Sequence, residues 1–462
     1  MPLLVLNRVE RGRYLDSVAL MRLSRRLAAL PGVEGAALMI GSPSNKMLLR
    51  EAGLLAPEGE GAGADDLVIA VRASDERAGR RALDSALPLI EIKEEIRSAG
   101  LPRARTLSGA VHLLPGGNFA LISVPGEFAA DEARRALSAG LHALVFSSGV
   151  SLEEERALKL LANDKGLLLM GPDCGTALIA GTPIAFANVV PRGDIGIVSA
   201  SGTGLQEVSC LIARLGAGVS QGIGVGGRDL DERIGALGTL AALDALENDP
   251  ATKTIVLISK PPAPRVAEQV LARLSQSKKR SIACFLGLEK PGLARTLREA
   301  AELAVGKKLP PESFERKRVK GRVHALYCGG TLCSEAELVF RHLGAQGHRF
   351  VDLGDDRYTR GRPHPMIDPE LRNDHVASAL ADPSVGAILV DVVLGYGSHP
   401  DPAGILVREE LSGKTVVASV TGTEGDPQVR SRQVARLREA GVLVAPSNAH
   451  AAEWAASLVT PS

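Results

Sequence analysis

Two short stretches of this 462-residue chain hold the residue types that bind anions. "SASGTG" (199–204) places Ser201, Gly202, Thr203 and Gly204 between an apolar run and an amphipathic one, and "CGGT" (328–331) does the same with Gly329, Gly330 and Thr331. A glycine turn from a strand into a helix leaves backbone N–H groups without partners at the positive end of the helix dipole, which is an anion site. Gly202 and Gly204 let the backbone approach an anion closely, while Ser201 and Thr203 add hydroxyl donors. Two such helix starts pointed at each other would hold one phosphate from both sides. Ser, Thr and Gly are also ordinary helix caps; their presence twice, in corresponding places, favours the anion site.

The elements that must position these turns repeat as well. "GIVSASGTGLQEVSCLIARLGAG" from Gly196 is answered by "ALYCGGTLCSEAELVFRHLGAQG" (325–347), and an offset of 128 places Thr203 on Thr331 and Glu207 on Glu335. Downstream, "SQGIGVGG" is answered by "HRFVDLGD", "ENDPATKTIVLIS" by "LADPSVGAILVD", and "SIACFLG" by "VVASVTG". Three blocks in order predict two homologous flavodoxin-like domains, 191–305 and 321–462, joined by a charged linker, 306–320. Thr203 and Thr331 should then sit at the starts of equivalent helices.

Before them, residues 119–190 alternate short apolar strands with helices, including a Ser-x-x-Glu capping box at "SLEE", and predict a Rossmann-like domain with a parallel sheet. Residues 1–100 read as a small α+β domain whose first helix is capped by Asp16 or Ser17, and 101–118 as a Pro/Gly/Arg-rich linker. "GSPSNKMLL" (41–49) is a helix-capping turn or a small-molecule site, capping being the safer reading. The fold class is therefore multidomain α/β.

Composition narrows the function. Basic and acidic residues number 54 and 53, and aromatics are 3%. Bulk charge then gives no case for nucleic acid or an anionic membrane, and base stacking lacks its side chains. The five cysteines are scattered without metal-ligand spacing, which predicts reduced thiols, no metal and a cytoplasmic protein. The N-terminus does not read as a signal peptide, and no apolar run spans a bilayer.

The stretch from "GPDCGTALIAG" through "DIGIVSASGTG" to "GIGVGG" resembles the α subunit of succinyl-CoA synthetase, and residues 325–455 resemble the C-terminal domain of its β subunit. With "MRLSRRLAALPGVEGAALMIGSPSNKMLLREAGLL" in front, the order looks like the FdrA family of succinyl-CoA-synthetase-like proteins. In succinyl-CoA synthetase, paired helices cradle a phosphohistidine. The resemblance thus implies that Ser201–Gly204 and Gly329–Thr331 bind phosphate or an acyl-phosphate.

The departures are specific. The family's catalytic histidine lies in a loop after the strand matching "IACFLG", yet this chain has no histidine between His142 and His324. The glutamate attending that histidine falls at Lys260, which is either a catalytic cation beside a phosphoryl group or a solvated strand end. "SVPGEFAADEA" replaces the multi-glycine loop of the CoA-binding domain, and no ATP-grasp region precedes the second repeat, so neither CoA nor a nucleotide is assigned to this chain. Asp173 and Cys174 occupy a turn where α/β sheets bind ligands, with positioning favoured over nucleophilic attack. The loop "VVLGYGSHPDPAG" corresponds to one that receives a substrate carboxylate, so Gly395, Tyr396 and Gly397 are candidate N–H donors, while His399 reads as a surface residue.

What the resemblance implies most concretely is a subunit of oxamate carbamoyltransferase, converting oxalurate and phosphate into oxamate and carbamoyl phosphate in ureide (allantoin-type) nitrogen breakdown. Other protein subunits are expected and a homo-oligomer is possible. The alternatives are an acyl-CoA ligase subunit that borrows nucleotide and CoA sites, and a non-catalytic scaffold or effector-binding subunit.

Overall fold

The computed structural model describes residues 3–460 apart from 14, 16, 99–103, 311, 313, 315–317, 360–362, 409, 410 and 412. The Asp16 cap and residues 311, 313 and 315–317 of the 306–320 linker therefore lie outside the described residues. The chain forms two compact units, the first built mainly from residues 1–117 and the second from 126–359 and 364–462.

The first unit contains β1 (Leu4–Glu10), α1 (Ser17–Ala28), β2 (Val33–Ile40), α2 (Pro43–Glu51), α3 (Pro57–Glu60), β3 (Leu67–Ala73), α4 (Glu76–Ser98) and α5 (Leu107–Leu113). Its sheet is antiparallel in the order β1-β3-β2. Alternation along β3 divides the packing: Leu67, Ile69 and Val71 join Leu20, Leu23 and Leu27 of α1, while Val68 and Ala70 join Leu49 and Leu54. Residues 4–10, read from the sequence only as lacking a leader pattern, form an edge strand. The Ser42 side chain accepts from Asn45 N at 3.3 Å and caps α2, which supports the capping reading of 41–49. The segment 101–118 is not wholly irregular, because α5 lies within it.

The second unit opens with β4 (Phe119–Ile122), α6 (Gly126–Ser138), β5 (His142–Val145), α7 (Leu152–Asp164) and β6 (Leu169–Met170), a parallel three-stranded sheet. The capping box at Ser151 and Glu154 is formed. The next sheet uses β7 (Thr176–Ile179), β8 (Thr182–Ala185), β9 (Arg192–Ser199), β10 (Val219–Gly224), β11 (Thr254–Ser259) and β12 (Arg280–Phe285), in the order β12-β11-β9-β10-β7-β8. Its helices are α8 (Gly202–Arg214), α9 (Leu237–Asn248), α10 (Pro264–Ser275) and α11 (Leu297–Val305). The expected boundary at 190 moves: β7 and β8, an antiparallel hairpin, extend this sheet instead of the preceding one.

The last domain holds β13 (Val319–Lys320), β14 (Arg322–Tyr327), α12 (Gly330–His342), β15 (Arg349–Asp352), α13 (Asp356–Thr359), α14 (Glu370–Ala381), β16 (Val385–Val393), α15 (Pro402–Leu406), β17 (Thr415–Thr421), α16 (Arg430–Glu439), β18 (Leu443–Ala445), α17 (Asn448–Leu458) and β19 (Val459–Thr460). Its parallel sheet has the flavodoxin-like order β15-β14-β16-β17-β18. All nine residues of β16, covered on both faces, are buried. Thr203 and Thr331 are each the second residue of an equivalent helix, as the repeat requires.

Candidate functional site

The starts of α8 and α12 meet. Ser201 caps α8, its Oγ accepting from Gly204 N at 2.9 Å, and the same hydroxyl donates to Thr331 Oγ1 at 2.6 Å. Thr203 lies against the second turn, its Cγ2 3.0 Å from where a Cβ on Gly329 would stand. The two turns are thus brought together as the repeat suggested.

The glycines, however, make room for the protein's own side chains. A Cβ on Gly202 would stand 2.9 Å from Thr176 Oγ1, and one on Gly330 would overlap the Asp352 carboxylate. The second turn already holds an anion: Asp391 Oδ1 accepts from Cys328 N at 2.7 Å and Asp391 Oδ2 from Gly329 N at 2.8 Å. Beneath it, the buried Arg372 donates to the Asp391 carbonyl and stands 3.7 Å from Oδ1. Burial pushes the Asp391 carboxyl up to about 6 against the opposing pull of Arg372 and the two amides. The helix starts are therefore unequal, since α8 is capped by a hydroxyl and α12 begins on two carboxylates.

Lys260, exposed at the end of β11, reaches across to the second turn, its Nζ 3.5 Å from the Cβ position of Gly330. Its charge acts on Asp352, whose carboxyl burial pushes up while Gly354 N, donating at 2.9 Å, and Lys260 pull it down. His364 brings Nε2 to the same glycine, Gly354, and burial holds its imidazole down at about 4. Asp352, Asp391, Arg372 and His364 were not anticipated. Asp391 alone carried a signal, a carboxylate inside the continuous apolar run "ILVDVVLG".

Asp173 is exposed at φ +55°, with its N–H donating to Ser147 O at 3.1 Å. Cys174 is buried, its thiol pushed up to about 12 by burial, and Sγ lies 3.5 Å from Thr176 O. Burial thus disfavours the thiolate, while Thr176 connects this turn to Gly202 at the α8 start. The 395–397 loop packs on residues 186–188: Gly395 N donates to Gln428 Oε1 at 3.0 Å, Tyr396 N donates to Ala187 O at 2.9 Å, and Gly397 packs on the Phe186 ring. Two of the three expected oxyanion donors are already engaged, joining the last domain to residues 186–188. The His399 Nδ1 accepts from Asp401 N at 3.0 Å in a local turn.

Residues 326–458 match the CoA-ligase family, and residues 3–102 match the AllF, heavy metal-associated domain. Residues 3–102 contain neither cysteine nor histidine, and the described residues include no cluster of three His, Cys, Asp or Glu that could hold an ion. The donor set therefore does not fit a soft metal. The protein YahF of Escherichia coli (strain K12) is 41% identical, the alignment covering 95% of this chain and 96% of YahF. The succinate–CoA ligase [ADP-forming] subunit alpha of Aquifex aeolicus (strain VF5) is 32% identical across 35% of this chain, which spans 53% of that subunit. Among solved structures, the dinucleotide-forming acetyl-coenzyme A synthetase 1 of Ca. Korarchaeum cryptofilum, in complex with phosphate and ADP, aligns over 80% of this chain and 91% of its own. Its identity is 20% and its TM-score 0.32, too low to bear on the site. No helix among the described residues is long and apolar enough to cross a membrane.

Proposed function

The chain belongs to the FdrA family, and from that premise we propose that it is one subunit of an acyl- or carbamoyl-transfer enzyme in which the α8 start and Lys260 hold a phosphoryl group. The observation that carries this reading is the contact of Ser201 with Thr331, which joins the two helix starts, with Lys260 Nζ beside Gly330 at the second. Asp352 and Asp391 would repel an anion at the α12 side, so in this reading the phosphoryl group lies nearer the α8 start, and Lys260, beside Asp352, faces it from the second turn.

The reaction we propose is carbamoyl transfer between oxalurate and phosphate. A phosphate oxygen attacks the carbamoyl carbon, the bond from that carbon to the oxamate nitrogen breaks, and the proton of hydrogenphosphate ends on that nitrogen. Lys260 and the Gly202 and Thr203 amides at the α8 start offset the charge on phosphate during attack. No histidine carrier is needed, in keeping with a chain that has none between His142 and His324. Relatives named as ligase subunits support a multi-subunit assembly.

A second reading, an acyl-CoA ligase subunit, is favoured by the CoA-ligase match over residues 326–458. One experiment separates the two. Native partners are captured on the tagged full chain, and the assembly is assayed for carbamoyl phosphate from oxalurate and phosphate, with and without CoA and nucleotide. Product formed without either supports carbamoyl transfer; turnover that requires CoA and nucleotide supports the ligase; an assembly inert in both assays returns the chain to a scaffold role.

A further inference from the structure

We propose that Glu207 and Glu335 are positioning residues for the opposed starts of α8 and α12: each caps the final helix of the other repeat, and the charge on the pair sets how firmly the two repeats are held. Both are the sixth residue of their helix. Glu207 Oε1 accepts from Asn448 N at 3.1 Å, at the first residue of α17 in the other repeat, and its Oε2 accepts from the Thr421 hydroxyl. Glu335 Oε1 accepts from Leu297 N at 2.6 Å, at the first residue of α11 in the other repeat. The exchange is reciprocal, and it closes on one side chain, because Asn448 Nδ2 donates to Glu335 Oε2 at 2.8 Å.

A carboxylate at a helix start satisfies an orphan donor and opposes the helix dipole. Here it does so from another domain, so the cap also fixes the distance between domains. Glu207 and Glu335 are 2% and 1% exposed, and neither has an ion-pair partner among the described residues. Glu335 is faced by Glu207 of α8, Arg298 of α11, Cys284 of β12 and Tyr327 of β14, and Arg298 is itself paired with Glu453 of α17 at 2.8 Å, near His450. Glu207 is faced by Arg430 of α16, Tyr327 of β14 and Cys210 of its own helix.

Burial pushes the Glu335 carboxyl up to about 7 and Glu207 pushes the same way, against Asn448, Leu297 and Arg298. The folded chain then holds this proton more tightly than the unfolded chain, whose carboxyl titrates near 4.5. The resulting stability is fully present below the unfolded value and is lost as pH rises toward the folded one. The inference rests on the proposed function only for what the aligned helix starts bind.

The test uses the full chain. Its urea midpoint should fall as pH rises from 5 to 7 and level off above, with Asp391 contributing up to about pH 6, and Glu335→Gln should remove the part of that slope above pH 6. In hydrogen exchange, Glu335→Ala should speed exchange at the α11 start about fivefold, and Glu207→Ala should do so at the α17 start, as expected for loss of one cap. An unchanged pH slope in Glu335→Gln, or faster exchange confined to the mutated residue's own repeat, overturns the proposal. If an alanine variant does not fold, the Glu335→Gln slope decides alone. None of these readouts involves phosphate or turnover, so they stand or fall apart from the proposed function.

Discussion

The Ser201 hydroxyl donates to the Thr331 hydroxyl at 2.6 Å while accepting from Gly204 N, so one oxygen caps a helix and joins two domains. The two roles can be separated. Thr331→Val removes the cross-domain bond alone and should cost about 1 kcal/mol, whereas Ser201→Ala also removes a cap and should cost about 2 kcal/mol. A double-mutant cycle in urea should give a coupling of roughly 0.5–1.5 kcal/mol. Zero coupling would mean that the contact contributes nothing to docking.

Lys260→Ala should leave the fold intact, because the side chain is exposed. Phosphate affinity should fall about fivefold, a modest loss because an exposed ammonium is screened. The same change should raise the Asp352 carboxyl further, since Lys260 holds it down. Calorimetry with inorganic phosphate and an NMR titration of Asp352 check the two halves.

Gly202 and Gly330 should respond differently to a methyl group. Gly330→Ala drives Cβ into Asp352 and should cost stability by about 1–3 kcal/mol, the usual range for overpacking. Gly202→Ala crowds only Thr176 Oγ1 and should act mainly on phosphate affinity. Equal losses of affinity from both variants, with stability unchanged, would restore a symmetric cradle.

All five cysteines are buried. Native protein at pH 8 should therefore react with a thiol reagent only as it unfolds, Cys174 included, since its thiolate is strongly disfavoured. Rapid labelling of Cys174 in the native state would revive it as a nucleophile.

Asp229 holds a buried cluster together. Its carboxylate accepts from Lys159 Nζ at 2.6 Å and from Gly238 N and Thr239 N at the α9 start. Asp229→Ala uncaps α9 and removes one of the two carboxylates on Lys159, so it should cost about 3–5 kcal/mol by chemical denaturation. A loss under 1 kcal/mol would show that Glu155, 2.8 Å from Lys159 Nζ, is partner enough.

Sequence reasoning reached far where the physics is local. The capping box at Ser151, the cap at Ser42 and the glycine turns before α8 and α12 are each encoded within a few residues, because a cap or turn needs only its own neighbours. It missed β1, since a seven-residue edge strand shows itself only in pairing with β3. It also did not read β7 and β8 as strands, because a short hairpin is defined by pairing with a sheet formed elsewhere in the chain.

By itself the sequence determined that this chain repeats a strand–turn–helix unit, that the repeated helices begin on Ser, Gly and Thr, and that no histidine stands where its relatives' motif has one. Only the tertiary structure decided what those helix starts face. Parallel strands carry Asp352 and Asp391 to the C-terminal end of the sheet beside Gly330 and Gly329, and domain docking sets Lys260 there too. The second turn thus holds the protein's own carboxylates, and Glu207 and Glu335 cap helices in each other's domain. The reason is distance along the chain: turns and caps are fixed by residues three or four apart, whereas the anions that fill them come from strands and helices tens to hundreds of residues away.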